Sequence, residues 1–173
     1  MVSRTWQSRV PDVLDALVTL LTAAFANASP TVLVKDGPWI SAESADQILS
    51  VGWSGFGPGY EFPSRSMSEE LGGADVTAEG TQEGLAPSVR ERMSITMASI
   101  CRDGGSRVPS ARVTAYRNAS IVGATIAPPN HTISGTVLSS TMGATNGLHQ
   151  VLDRRGAIAL VSFTIEAVTF PQQ

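Results

Sequence analysis

The sequence predicts an α+β fold: a mainly antiparallel β-sheet packed on one face against two helices, with a long acidic loop. Three patterns carry that expectation. Over Val89–Cys101, Val89, Met93, Ile95 and Met97 alternate with Arg90, Arg92, Ser94 and Thr96, the period of two of a strand with one face in a core. The run GAIALVSFTIEAVTF at 156–170 repeats the signal, with Val161, Phe163 and Ile165 on one side and Ser162, Thr164 and Glu166 on the other. Two further segments, 10–28 and 108–126, carry apolar residues at helical spacing.

In chain order, residues 10–28 form the first expected helix. Val10, Leu14, Leu17, Leu21 and Phe25 make its stripe, and Val13, Val18 and Ala24 widen it. Pro11 suits a first helical position, and Asp12 and Asp15 favour the positive end of the helix dipole. Two short β-prone runs follow, Thr31–Lys35 and Ile48–Trp53, closed by Asp36-Gly37-Pro38 and by the glycine-rich SGFGPGY. From about 60 to 87 the pattern dissolves into a loop insertion with room for a strand near Ala74–Glu79. Glu61, Glu69, Glu70, Asp75, Glu79 and Glu83 stand there against Arg65 alone.

The alternating strand comes next and is turned by Asp103-Gly104-Gly105. The second helix then presents Val108, Ala111, Ala115, Ala119, Val122 and Ile126 on one stripe, with Arg112 and Arg117 facing outward. Ala127-Pro128-Pro129-Asn130 stops it, because proline has no amide to donate. Residues 132–152 are rich in Ser, Thr and Gly and alternate weakly, which predicts an irregular strand bulged at a glycine. Asp153-Arg154-Arg155-Gly156 is the expected hairpin connection to the closing strand. The order is therefore α, β, β, loop, β, α, β, β, in one domain spanning 1–173.

Composition sets limits on function. Of 173 residues 42% are hydrophobic and 16% charged, enough for one full core, and a net charge of −3 is too balanced for a protein whose main task is to grip a phosphate backbone. The single Cys101 has no partner for an internal disulfide, the N-terminus is unlike a signal peptide, and no uninterrupted apolar stretch reaches membrane-spanning length. A soluble protein made inside the cell, without a membrane partner, is the expectation.

The search for chemistry yields no catalytic, cofactor-binding or metal-binding set. His131 and His149 stand in no ligand spacing and read as ordinary solvated histidines. Cys101 has Arg102 beside it but no assigned base, so a partly buried free thiol is the better account. The glycines at 52, 55, 57 and 59 precede neither a G-K-[ST] nor a periodic helix, and Pro58 interrupts them; they read as a turn. Adjacent Glu69 and Glu70 would point apart on any regular element, a poor acid–base pair.

Arginine is the remaining signal. Arg90, Arg92, Arg102, Arg107, Arg112 and Arg117 fall close together, opposed only by Glu91 and Asp103. No aromatic residues interleave with them as a nucleic-acid stacking platform requires. Three readings stay open: a solvated face, direct nucleic-acid contact, and a subunit interface through Arg90, Arg92, Arg112 and Arg117. In the last, the acidic 61–83 stretch of a neighbouring copy supplies the complementary charge.

With that organisation, the chain resembles the tail terminator (tail completion) proteins of long-tailed phages, especially those infecting actinobacteria. The resembling pieces are RVPDVLDALVTLLTAAFA (9–26), VLVKDGPWIS (32–41), ILSVGWSG (48–55), TQEGLAPSVRERMSITMASICRDGG (81–105), RVPSARVTAYRNASIVGATI (107–126) and RRGAIALVSFTIEAVTF (154–170). They are patterns of apolar residues and turns in the family's order: a long insert after VGW, a middle strand bearing E-x-x-x-I, and a last strand beginning R-G-A. The chain departs from the family at 132–150, where relatives often carry a more regular tryptophan-bearing strand.

The resemblance implies a virion protein without catalytic activity or cofactor. Copies of it, commonly six, would form a homo-oligomeric ring on the head-proximal end of the tail tube. That ring stops tube polymerisation and offers a surface to the head connector or stopper protein, and DNA passes its lumen unread. Glu69, Glu70, Asp75, Glu79 and Glu83 are then candidates for lining the lumen or for an inter-subunit contact. A head–tail connector or stopper, a tail-tube-like subunit, and a weak nucleic-acid-binding module are the alternatives.

Overall fold

The computed structural model describes residues 8–38, 45–53, 74–81, 88–153 and 156–170. In chain order these give α1 (Val10–Phe25), β1 (Val32–Asp36), β2 (Gln47–Val51), β3 (Ala74–Thr81), β4 (Ser88–Asp103), α2 (Val108–Thr125), a 3-10 turn (Asn130–Thr132), β5 (Ser139–Asp153) and β6 (Gly156–Thr169). All six strands belong to one sheet. Its path is β1-β2-β4-β6-β5, and β3 pairs with the stretch of β4 that precedes the one β2 pairs with. Every pairing is antiparallel except β1 with β2. The fold is α+β, with both helices against the sheet.

β4 and β6 form the spine. Their register runs from Glu91↔Thr169 to Asp103↔Ala157 without a break, so Met93, Ile95 and Met97 meet Ala167, Ile165 and Phe163. All six are buried, in one cluster with the helix stripes. On α1 that stripe is Val13, Leu17, Leu21 and Phe25, with Leu14 and Val18 partly covered, whereas Ala24 is exposed and adds nothing to it. On α2 it is Ala111, Ala115, Ala119 and Val122. The small side chains let this helix lie close to the sheet, since an alanine stripe lacks the bulk to hold the two backbones apart.

α1 begins without a side-chain cap of its own. Its start is held from the middle of the sheet instead. Glu91, fully buried on β4, accepts the backbone N–H of Arg9 at 2.9 Å through Oε2 and the Ser8 hydroxyl through Oε1. The Ser8 oxygen in turn accepts the Val10 N–H at 3.2 Å. A buried carboxylate among helix N-terminal donors is favourable because those N–H groups have no partner inside the helix.

β5 is the irregular strand expected from its composition. Its register against β6 shifts between Met142 and Thr145 and again between Thr145 and Gly147. Gly143, inside the first shift, lies so close to β6 that a Cβ there would come within 2.3 Å of Thr164 Oγ1. Gly156, where β6 begins, has φ +126° and would place a Cβ 2.3 Å from the Asp103 carbonyl oxygen. Only glycine fits both demands.

Candidate assembly surface

The face of the sheet away from the helices has two halves. Toward the end of β4 it is apolar: Ile48, Trp53, Ala98, Ile100 and Leu160 are buried together, with Leu33, Ala45 and Ile158 packed on them. Toward the start of β4 it is polar. There Arg90 and Arg92 are exposed and Ser94 and Thr96 half-buried, beside Thr164 and the exposed Glu166 of β6. The Ser94 hydroxyl donates to Glu166 Oε1 at 2.7 Å, and Thr141 of β5 lies opposite Glu166 in the register. This strip is the candidate surface, and the alternation of β4 alone positions it: with Met93, Ile95 and Met97 in the core, the intervening side chains face away from the helices.

The four arginines predicted to act together do not share a side of the molecule. Arg90 and Arg92 sit on the open face, whereas Arg112 (half-buried) and Arg117 (exposed) ride on α2, in the layer that covers the opposite face. Nearness in sequence misled here, because the turn after Asp103 carries the chain from the sheet into the helical layer. An interface that uses one pair does not extend to the other on the same sheet face.

The acidic positions also divide. Asp75 and Glu79 lie on β3 rather than in a loop, and the register sets Glu79 across from Arg90, Thr77 across from Arg92, and Asp75 across from Ser94. The acidic position across from Arg90 in the register therefore belongs to its own chain. Glu69, Glu70 and Glu83 lie outside the described residues, as do Gly55, Gly57 and Gly59. Gly52, with φ +75°, closes β2 as a turn residue.

The remaining candidate groups are dispersed. Cys101 is buried in the main core, and burial pushes its thiol up to about 12, while the hydrogen bond from Asn118 pulls it back in part; it stays protonated at neutral pH. His131 lies in the 3-10 turn and His149 on β5, where burial lowers its pKa from the ordinary value. Among the described residues, no three His, Cys, Asp or Glu side chains gather as metal ligands do. No described helix is long and apolar enough to cross a membrane.

Two residues of structural weight escaped sequence reasoning. Glu91 entered the sequence reading only as a charge opposing the arginines, yet it is the buried acceptor of the α1 start. Asn118 drew no reading from the sequence, yet it is buried and donates to Gln47 Oε1 at 3.0 Å and to the Cys101 sulfur at 3.5 Å. The available signal for Asn118 was its place three residues after Ala115 and four before Val122, on the buried arc of α2.

Compared with known proteins, the chain matches no family model and no curated protein sequence.

Proposed function

We propose that the chain is a structural subunit of a phage tail, a tail terminator whose copies form a closed ring at the head-proximal end of the tail tube. The observation that carries this reading is the polar strip, exposed at Arg90, Arg92 and Glu166, on the face of the sheet away from the helices. Such a strip mixes signs, with Arg92 two residues along β4 from the partner of Glu166 and Arg90 two further on. Mixed charges at fixed register suit a protein surface of complementary pattern, because like-charge mismatches penalise wrong partners. They suit a phosphate backbone poorly, since the carboxylate opposes the counterion release that drives such binding.

In this reading Arg90, Arg92 and Glu166 meet the adjacent copy. One rim of the ring meets the tube protein and the other the head connector or stopper protein. DNA crosses the lumen without being read, and the subunit works without catalysis or cofactor. The order of secondary structure and the apolar patterns shared with terminator proteins point the same way.

Negative-stain imaging of the purified chain, alone and mixed with the tail tube protein of the same phage, tests it. Closed rings, and tubes whose growth stops once the chain is added, are the expected results. Long tubes made by the chain alone would make it a tube-like subunit, and binding to the portal-side adaptor with none to the tube would make it a stopper. Retention on DNA at low salt, lost on replacing Arg90 and Arg92, would replace an assembly role with nucleic-acid binding.

A further inference from the structure

Four asparagines stand in the chain, at 27, 118, 130 and 146, and only Asn146 precedes a glycine. Asn146 and Gly147 lie inside β5, the strand that ends the path of the sheet. The chemistry open to this pair is set by its covalent structure. The side-chain amide carbon of an asparagine and the backbone nitrogen of the next residue can close a five-membered ring, which makes asparagine a thermolabile residue. Glycine hinders that closure least, because it has no Cβ and restricts its backbone least.

A regular ladder opposes the closure, since it fixes the backbone dihedrals and engages the N–H groups. At this point β5 has no regular ladder. Thr145 is opposite Phe163 and Gly147 opposite Ser162, so Asn146 has no partner in the register and is the extra residue of a bulge, where ladder pairing is disrupted. A first register shift, between Met142 and Thr145, lies just upstream. Among the described strands β5 pairs with β6 alone, so no second strand restrains the bulge from its other side. A Cβ on Gly147 would come within 3.3 Å of His149 Nε2 and 3.5 Å of Ser162 Oγ, so close packing also favours glycine here.

We propose that Asn146-Gly147 is a site of spontaneous modification, at which the folded chain converts its own asparagine to aspartate and isoaspartate. The Gly147 nitrogen attacks the Asn146 side-chain carbon, and a new N–C bond forms as the C–NH2 bond breaks. The Gly147 proton passes through water to the departing amide group, which leaves as ammonia. The succinimide that remains takes up one water and opens at either carbonyl, giving aspartate or isoaspartate, with no change of oxidation state. Both products place a carboxylate on β5. Isoaspartate also lengthens the main chain by one methylene, next to Gly147, where regular pairing with β6 resumes. The inference is independent of the assembly role.

Incubation of the folded full chain at neutral and at mildly alkaline pH, followed by peptide mapping by mass spectrometry, tests it. Asn146 is expected to gain the mass of an amide-to-acid exchange, faster at the higher pH because the attacking nitrogen must lose its proton, with isoaspartate among the products. Over the same period Asn27 and Asn130, exposed but followed by Ala28 and His131, and Asn118, buried in α2, should remain amides. Asn146→Gln, whose longer side chain would have to close a six-membered ring, should abolish the conversion. Urea at concentrations below the unfolding transition should leave the rate unchanged, because the bulge belongs to the native fold. An Asn146 that stays an amide in the folded chain, or equally fast conversion at Asn27 or Asn130, would overturn the proposal. So would a rate that tracks the fraction unfolded by urea, which would place the reaction in the unfolded chain.

Discussion

The two faces of the sheet are built from the same strands yet hold different amounts of structure. Under the helices, β6 presents an unbroken row of apolar side chains from Ala167 to Ala159, and β4 a row from Met93 to Cys101 interrupted by the buried Ser99, both joined to the stripes of α1 and α2. On the other face the same strands are apolar only from Ala98 onward, and before that they carry Arg90, Arg92, Ser94 and Thr96. One face is therefore finished within the chain. The other is apolar at one end and exposed and charged at the other, where complementary charge would select a partner more than it would tighten binding.

That contrast is exposed to direct tests. The largest effect is expected at Phe163, wholly buried in the main cluster: Phe163→Ala should cost about 3–5 kcal/mol in denaturant unfolding. Leu160, equally buried but in the small cluster of the other face, should lose about 2–3 kcal/mol on change to alanine, the lower part of the range for such truncations. Equal losses at the two sites would show that the two clusters are equally packed, and the contrast would fall.

Next in size is Glu91→Ala, which strips the acceptor from the Arg9 N–H and the Ser8 hydroxyl in a buried setting. A loss of about 1–3 kcal/mol is expected, read as a lower urea midpoint. Hydrogen exchange should show α1 opening more readily than β4 in this variant. Uniform loosening of both would mean that Glu91 supports the whole core rather than the helix start.

A pH experiment sharpens the picture of the covered face. The folded Cys101 thiol titrates near 12 against 9.0 when unperturbed. Above pH 9 the unfolded chain releases this proton and the folded one does not, so stability should fall as pH rises from 9 toward 12. The slope from this one group approaches about 1.4 kcal/mol per pH unit. Cys101→Ala should remove that increment from the alkaline decline, and an unchanged decline would place the thiol in contact with water. The smallest effect belongs to the charged end: Arg90→Ser with Arg92→Ser should alter monomer unfolding by no more than about 0.5 kcal/mol and, on the proposed assembly role, abolish the proposed rings in the electron microscope.

What was legible in the sequence follows the same division. Met93, Ile95 and Met97 announced the strand phase because one face was apolar and the other polar, the condition under which period two is visible. From Ala98 to Cys101 every residue is buried, so alternation vanishes just where the second cluster begins, and that cluster could not be foreseen. The weak alternation of 139–153 signalled bulges truthfully, but two shifts rather than one glycine set its register. The parallel pairing of β1 with β2 left no trace, since five residues on each side carry no register cue. At the candidate surface, Arg90 and Arg92 were legible from alternation, whereas Glu166 entered only through the β4–β6 register, and Arg112 and Arg117 were assigned to it by proximity along the chain alone.

The bond from Arg9 to Glu91 has a consequence in time. Its two ends are 82 residues apart in sequence. At synthesis rates of roughly 5–20 residues per second, the start of α1 leaves the ribosome roughly 4 to 16 s before its acceptor exists. For that interval the helix lacks both its cap and the sheet that buries its stripe, and an isolated helix of this length is marginal in water. α1, made before the strand that caps it, thus waits for its completion, and it is the middle strand, arriving late, that lets this part of the chain hold its shape.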